Sequence, residues 1–366
     1  MIFTASKSDL LTGINTVIKA APSTTTIPLL KCILVETDED GLFLSANDLE
    51  LAIRTHVTAE VTEGGTIAID AKMLSDIVRK LPSSDVSVTT DENLSVTIKS
   101  GKAKFQIGGQ NGSGFTSLPD IKPQTVMTLR QDDFRSMVQS TIFATDMNAK
   151  MKVMSGECIE VKNGTFSLIA LDGHRVAVRK VSLPVGCNEN VRVVVPGKTM
   201  NDVSRILTGA SDEVILSIAT NHIMFQFGET TVASRLIDGE FYDINSMISN
   251  EFAIKVTADR SALIECVERA GLFVKEGDKK PIIFTINSNE SMEISIQSPT
   301  GSMAETLDID KTGADLCIGF NPRFMAEALK AIADDEVTLN MNGPKAPCFI
   351  QSDSYLYLIL PVNFVN

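Results

Sequence analysis

The sequence is poor in the side chains that carry most enzyme chemistry. Its 366 residues include no tryptophan, three tyrosines and three histidines. The six cysteines form no C-x-x-C pair, so no zinc-type cluster is indicated; they are Cys32, Cys158, Cys187, Cys266, Cys317 and Cys348. Scattered thiols of this kind are typical of buried small side chains in a reducing cytoplasm. We therefore expect no metal and no cofactor.

Targeting and nucleotide-binding signals are missing as well. No secretory signal is visible at the N-terminus, and no apolar run approaches the ~20 residues of a membrane span. Neither G-x-x-x-x-G-K-[ST] nor G-x-G-x-x-G occurs, which excludes the common phosphate loops. These absences predict a cytoplasmic protein that does not enter a membrane.

The chain also lacks a basic excess. It carries 33 Lys and Arg against 46 Asp and Glu, a net charge of −13. Taken alone, this balance argues against a tight nucleic-acid binder. The composition, 43% hydrophobic and 22% charged, is ordinary for packed globular protein, and the length suits two or three domains.

What the chain does have is a ten-residue pattern that occurs three times, at 72–81, 198–207 and 323–332. Each copy has a base at its first and eighth positions and an acid at its fifth: Lys72/Asp76/Arg79, Lys198/Asp202/Arg205 and Arg323/Glu327/Lys330. On a helical wheel the two bases fall within about 20° of each other. Apolar residues centre on the opposite side; in the first copy they are Met73, Leu74, Ile77, Val78 and Leu81. One such helix is usually just a solvated face, but three in one register indicate a tandem repeat with an aligned cationic surface.

A second amphipathic helix is predicted earlier in each repeat. Its buried stripe is Leu10, Ile14, Val17 and Ile18, then Phe134, Val138, Thr141 and Ile142, then Leu263, Val267, Ala270 and Gly271. Between the helices, alternating β-formers are separated by Asp-Gly, Gly-Gly and Ser-Gly turns. We therefore predict an α+β fold of three similar tandem domains, 1–121, 122–247 and 248–366, each with two helices on one face of an antiparallel sheet.

Side-chain chemistry is concentrated at 171–175, Leu-Asp-Gly-His-Arg. A general base His174 oriented by Asp172 is conceivable there, which leaves a cytoplasmic hydrolase using Asp172, His174 and Arg175 as an alternative. No partner nucleophile can be read beside it, and Asp-Gly after a strand indicates first a turn.

Several longer motifs occur together with the repeat: Ile27-Pro-Leu-Leu30, Asn47-Asp-Leu-Glu50, Leu171-Asp-Gly-His-Arg-Val176, Ser234-Arg-Leu-Ile-Asp-Gly-Glu-Phe241 and Ile318-Gly-Phe-Asn321. With these motifs the chain resembles, end to end, the β subunit family of bacterial DNA polymerase III, the replicative sliding clamps. The resemblance implies a non-catalytic processivity factor, associated with the nucleoid in the cytoplasm. Two copies would close head to tail into a ring around duplex DNA, with sheets outside and helices inside. It would bind the polymerase catalytic subunit, the clamp loader and other proteins that carry clamp-binding linear motifs.

The resemblance also assigns residues to three surfaces. The DNA-facing cations are Lys72, Arg79, Lys80, Lys198, Arg205, Arg323 and Lys330. The partner-peptide groove comprises Met154, Leu171, Gly173, His174, Arg175, Val176, Tyr242, Met247, Asn321, Phe324, Leu358, Leu360, Pro361 and Val362. The dimer seam comprises Lys102, Lys104, Phe105 and Ile107 on one edge and Leu272 and Phe273 on the other.

The sequence departs from the family pattern at some of these surfaces. Leu171 stands where Thr is common, Tyr242 where Pro is common, and Ser246 and Asn363 where Arg is common. At the seam, Glu305 is what remains of an acidic cluster, and Thr24 replaces a basic loop residue that touches DNA in some relatives.

A ring answers the objection from net charge, because a topologically linked clamp needs no tight grip. Asp76, Asp202 and Glu327 are expected to temper the cations beside them. A scaffold that uses the groove without DNA remains the second alternative.

Overall fold

The computed structural model describes residues 1–82, 85–116, 118–183, 190–209, 212–275, 280–288 and 290–364. Cys187, predicted above to be a reduced thiol, and the last two residues lie outside them. The described helices are α1 (Lys7–Val17), α2 (Ala71–Lys80), α3 (Gln131–Gln139), α4 (Gly197–Ile206), α5 (Arg260–Gly271) and α6 (Pro322–Lys330). The chain divides into two compact units: unit 1 is Met1–Arg135 with Asp202–Leu236, and unit 2 is Ser136–Asn201 with Ile237–Asn366.

Unit 1 contains two antiparallel sheets. Its strands are β1 (Ile2–Ser6), β2 (Cys32–Thr37), β3 (Gly41–Asn47), β4 (Leu51–Thr58), β5 (Glu60–Glu63), β6 (Thr66–Asp70), β7 (Asp85–Thr90), β8 (Ser95–Ser100), β9 (Ala103–Gly108), β10 (Thr125–Arg130), β15 (Glu213–Ile218), β16 (His222–Phe227) and β17 (Thr230–Arg235). The five-stranded sheet has the order β5-β1-β7-β8-β9, and the eight-stranded sheet has the order β10-β15-β16-β17-β4-β3-β2-β6.

Unit 2 repeats this plan with a nine-stranded and a four-stranded sheet. Its strands are β11 (Gly156–Lys162), β12 (Thr165–Leu171), β13 (Arg175–Ser182), β14 (Val191–Pro196), β18 (Ile254–Asp259), β19 (Ile282–Asn287), β20 (Ser291–Ser298), β21 (Gly301–Asp308), β22 (Asp310–Thr312), β23 (Leu316–Phe320), β24 (Glu336–Met341), β25 (Cys348–Gln351) and β26 (Tyr355–Ile359). The orders are β14-β11-β12-β13-β26-β25-β24-β18-β22 and β21-β20-β19-β23.

Each large sheet contains strands from two neighbouring repeats. In unit 1, β4 pairs with β17, with Ala52 opposite Ala233. In unit 2, β13 pairs with β26, with Val176 opposite Leu358. The compact units therefore do not coincide with the three predicted domains, and that division remains a prediction.

The helices begin where local chemistry favours a helix start. Asp70 caps α2 by accepting a hydrogen bond from the Met73 amide at 2.8 Å, and Asp259 caps α5 in the same way from Ala262 at 2.7 Å. In each of the three predicted stripes the first three residues are buried and the fourth is half-buried. Met73 differs from its prediction, because its side chain is 51% exposed. It lies about 100° from Lys72 on the wheel, at the margin of the apolar face.

A buried acid lies in the second repeat. Glu157 in β11 is fully buried, and desolvation raises the pKa of its carboxyl to about 8. Its Oε1 lies 2.6 Å from the Thr141 hydroxyl, which itself lies 2.8 Å from the Met137 carbonyl oxygen. A neutral carboxyl can therefore donate to Thr141 while Thr141 donates to Met137. Oε2 has no hydrogen-bond partner among the described residues, which costs a neutral acid much less than a carboxylate.

We predict that Glu157 makes the protein less stable as the pH rises. The unfolded carboxyl loses its proton near its ordinary pKa of 4.5, whereas the folded one keeps it until about 8. The free energy of unfolding should therefore fall between those values and then level off. Glu157→Gln should remove this slope and gain about 2–4 kcal/mol above pH 8. Urea unfolding of both proteins from pH 4 to pH 9 measures the difference, and parallel curves would show that Glu157 is already ionised in the fold.

Candidate partner groove and cationic helix faces

Unit 2 carries a cavity of about 360 Å³ with a largely apolar lining. The lining residues are Met154, Leu171, Gly173, Arg175, Val176, Tyr242, Met247, Pro347, Leu358 and Leu360. All of them except Pro347 were assigned to the groove from the sequence. The fold thus brings together residues from five separate stretches of the chain, at 154, 171–176, 242–247, 347 and 358–360.

The turn at 172–174 sets the floor of this cavity. The Asp172 Oδ1 atom accepts hydrogen bonds from the amides of His174 at 2.9 Å and Arg175 at 3.1 Å. Gly173 has a φ of +83°, in the left-handed region that glycine adopts without strain. The turn ends β12 at Leu171 and starts β13 at Arg175, so Leu171 and Val176 pair across the hairpin beneath the cavity.

Arg175 is a buried cation with a full set of partners. Its side chain is 4% exposed. Nε donates to Asp172 Oδ2 at 2.9 Å, and the two terminal nitrogens donate to Glu327 Oε2 and to the Phe143 carbonyl oxygen. The guanidinium also lies over the Phe324 ring, 4.2 Å from its centroid. Two carboxylates compensate the desolvation of this charge, as a buried ion must be compensated.

Five of the predicted groove residues do not line the cavity itself. The His174 ring stacks on Phe324 with centroids 6.1 Å apart, and the His174 carbonyl oxygen accepts from the Leu360 amide at 2.9 Å. Asn321 caps α6 by accepting from the Arg323 amide. Pro361 and Val362 continue from Leu360, where the Val362 amide donates to the Gly319 carbonyl oxygen at 2.8 Å.

Asp172 does not orient the His174 ring. Its two oxygens accept from the His174 and Arg175 amides and from Arg175 Nε. The hydrolase alternative requires Asp172 to hold the His174 imidazole, whereas Asp172 instead stabilises the turn and binds Arg175.

One methionine that the sequence pattern did not predict contacts a residue of the cavity lining. Met151 is exposed, and the Tyr242 hydroxyl lies 2.6 Å from its sulfur. Flexible thioethers adapt to different apolar ligands. The high methionine content, 14 residues, was the signal available, but nothing in the local pattern placed Met151 beside Tyr242.

All seven predicted DNA-facing cations are exposed. On α2, no ion pair within the described residues reaches Lys72 or Asp76. On α6, Arg323 Nε lies 3.0 Å from Glu327 Oε1, and Lys330 Nζ lies 2.5 Å from Glu268 Oε1 on α5. The copy of the pattern in α6 is thus more strongly neutralised than the copy in α2.

The predicted seam residues lie on two edges. Lys102, Lys104, Phe105 and Ile107 belong to the β8–β9 hairpin, and β9 is an edge strand of unit 1. Leu272 and Phe273 follow α5 in unit 2, and Leu272 is 83% exposed. Glu305 on the edge strand β21 already accepts hydrogen bonds from Arg269 at 2.9 and 2.6 Å. Glu305, the acid expected to meet the seam lysines, is therefore already paired within its own chain. The guanidinium of Arg269 holds the pKa of the Glu305 carboxyl below its usual range.

Other kinds of site are not evident in the part of the chain that the structure describes. No three His, Cys, Asp or Glu side chains cluster closely enough there to hold a metal ion. Among the same residues, no helix combines the length and the apolar character needed to cross a membrane.

Repeated α+β layers, cationic helix faces and an apolar groove are the features of a binding protein. Three sequence profiles match, those of the DNA polymerase III beta subunit N-terminal domain (residues 1–119), central domain (128–243) and C-terminal domain (245–363). The chain belongs to the DNA polymerase III beta subunit family, the sliding clamps. Membership confirms the predicted α+β clamp fold and the prediction of a processivity factor without catalysis of its own.

Individual relatives agree over the whole chain. The beta sliding clamps of Bacillus subtilis and Staphylococcus aureus are each 28% identical over 99% of this chain and at least 99% of their own length. The B. subtilis clamp crystal structure superposes with a TM-score of 0.94 over all of both chains at 28% identity. A structure from Eubacterium rectale, proposed to be a DNA polymerase III beta subunit, is 44% identical with a TM-score of 0.92, covering 100% of this chain and 99% of its own.

We predict that Arg175→Met destabilises the fold strongly. The change leaves Asp172 and Glu327 without the cation that both contact, so the free energy of unfolding should fall by about 3–5 kcal/mol. Arg192→Met is the matched control, because Arg192 lies at the surface, where it pairs with Glu160 at 3.3 Å and donates to the Tyr242 carbonyl oxygen at 2.8 Å; the change should cost about 1 kcal/mol or less. Urea unfolding of both variants checks this, and equal losses would contradict the role given to Arg175.

Proposed function

We propose that two copies of this chain close head to tail into a ring that encircles duplex DNA without sequence preference. Each protomer contributes three clamp domains, 1–121, 122–247 and 248–366. The ring tethers the polymerase catalytic subunit, the clamp loader and other proteins through short linear motifs, and it acts in the cytoplasm on nucleoid DNA. The exposed pair of cations at the same two positions of α2, α4 and α6 is the observation that carries this proposal.

Weak contact with DNA is consistent with a net charge of −13. Each phosphate neutralised by a cation releases counterions and adds affinity that falls with salt. A ring that is linked to DNA by topology keeps its substrate without many such contacts. A few exposed cations per repeat therefore suit a sliding surface.

The groove in unit 2 suits a short peptide with apolar anchors. Its volume of about 360 Å³ accommodates a few side chains, and its lining offers van der Waals contact rather than charge. Ser246 and Asn363 carry no positive charge, so selection falls on the apolar anchors more than on acidic flanks.

We predict that the triple variant Arg79→Glu, Arg205→Glu and Lys330→Glu loses DNA retention. Like charge then faces the phosphates in every repeat, and retention on nicked circular DNA after loading should fall at least about tenfold. Lys122→Glu, Lys162→Glu and Lys345→Glu form the control, because these exposed lysines lie off the three helices and change the net charge equally. Gel filtration of the DNA complexes measures retention. Equal loss in both variants would mean that net charge, not the helix faces, matters, and unimpaired retention with intact peptide binding would favour the scaffold alternative.

We predict a dimer that depends on apolar seam residues. Light scattering at micromolar concentration should give a mass near twice 39.6 kDa, and the mass should change little with salt because Glu305 is already paired. Leu272→Asp places a charge in the seam and should yield monomers. Val126→Asp, at another exposed apolar side chain, should leave the dimer intact. A wild-type monomer would refute the ring.

A further inference from the structure

We propose that Glu327 is a positioning residue for two binding surfaces at once, strengthening peptide binding in the groove and weakening the grip on DNA. This inference rests on the proposed function. It concerns an acid that the sequence pattern placed only beside the cationic stripe.

The two oxygens of Glu327 have different partners. Oε2 accepts from the buried Arg175, which lines the groove, whereas Oε1 accepts from Arg323 Nε at 3.0 Å. Arg323 is 70% exposed on the cationic face of α6. One carboxylate therefore contacts a groove residue and a predicted DNA-facing residue.

On the groove side, Arg175 is held by several contacts at once. Arg175 lies 4.2 Å from the centroid of the Phe324 ring, on which the His174 ring stacks. If Glu327 loses its charge, Arg175 keeps Asp172 as its single carboxylate partner among those described here, and its guanidinium is freer to leave the groove floor. The packing of His174 and Phe324 loosens as well. Part of the free energy of peptide binding is then used to order these side chains, so the peptide binds more weakly.

The DNA side responds in the opposite direction. Arg323 loses the negative charge next to it, so its positive charge is more available to a phosphate. Each additional phosphate contact steepens the dependence of affinity on salt. The substitution Glu327→Gln, which removes this charge, should thus make DNA binding tighter and more sensitive to salt.

The equivalent acid of the first repeat supplies a matched control. Asp76 occupies the same position of the pattern, and it is exposed with no ion pair among the described residues. Asp76→Asn should therefore strengthen DNA binding slightly and leave peptide binding unchanged.

The test compares Glu327→Gln, Asp76→Asn and the double variant Glu327→Gln/Arg323→Gln. The probes are a fluorescent acetyl-Ser-Leu-Ser-Leu-Phe amide for the groove and a short labelled duplex at about 50 and 200 mM salt for DNA. Glu327→Gln should bind the peptide about three- to tenfold more weakly and the duplex about two- to fivefold more tightly at low salt, with the gain lost at high salt. Adding Arg323→Gln should cancel the gain in affinity for the duplex without restoring the affinity for the peptide.

The outcomes separate this inference from the proposed function. If Glu327→Gln weakens the binding of both the peptide and the duplex, the role of Glu327 is merely structural. If neither affinity changes, Glu327 positions neither surface. Both results overturn the inference but leave the proposed clamp function intact. A wild-type chain that neither binds the peptide nor is retained on nicked circular DNA after loading overturns the proposed function, and the inference fails with it.

Discussion

The groove depends on one buried charge. Arg175 is almost fully removed from water, yet it is held by two carboxylates, a main-chain carbonyl and an aromatic face. Such a cation is tolerated only if its partners stay in place. It therefore fixes the 172–174 turn, the segment at Phe143 and α6 against one another, and of these the turn and Arg175 itself belong to the cavity lining.

An internal comparison shows what this cation contributes. In unit 1, Asp48 accepts from the amides of Glu50 and Leu51 just as Asp172 accepts from those of His174 and Arg175. The backbone is the same, but Leu51 replaces Arg175, and the corresponding cavity measures about 180 Å³. Leu49 occupies the place of Gly173 with a φ of +76°, a conformation that costs a leucine about 1–2 kcal/mol. Repetition has thus conserved the turn while the side chains determine which copy opens into a larger groove.

The elements that show a local periodicity could be predicted from the sequence, whereas contacts between residues far apart in the chain could not. The helices at 72–81, 198–207 and 323–332 were recognisable because amphipathic spacing is local. Short edge strands such as β5 and β22 carry too few residues to show a period. The pairing of β4 with β17 and of β13 with β26 joins different repeats, which no local pattern reveals. Pro347 at the cavity was missed for the same reason.

Glu327 shows the limit of pattern reasoning at the site itself. The wheel placed it about 40° from the first base of its copy and about 60° from the second, which suggested a role only in tempering those cations. Its contact with Arg175 spans 152 residues and depends on the nine-stranded sheet that carries β13 and β26. A helix that must present cations on one side and support a groove on the other has few positions for an acid. Placing one carboxylate where it reaches both sides meets both demands, and the α6 copy of the pattern is accordingly less strongly cationic than the α2 copy.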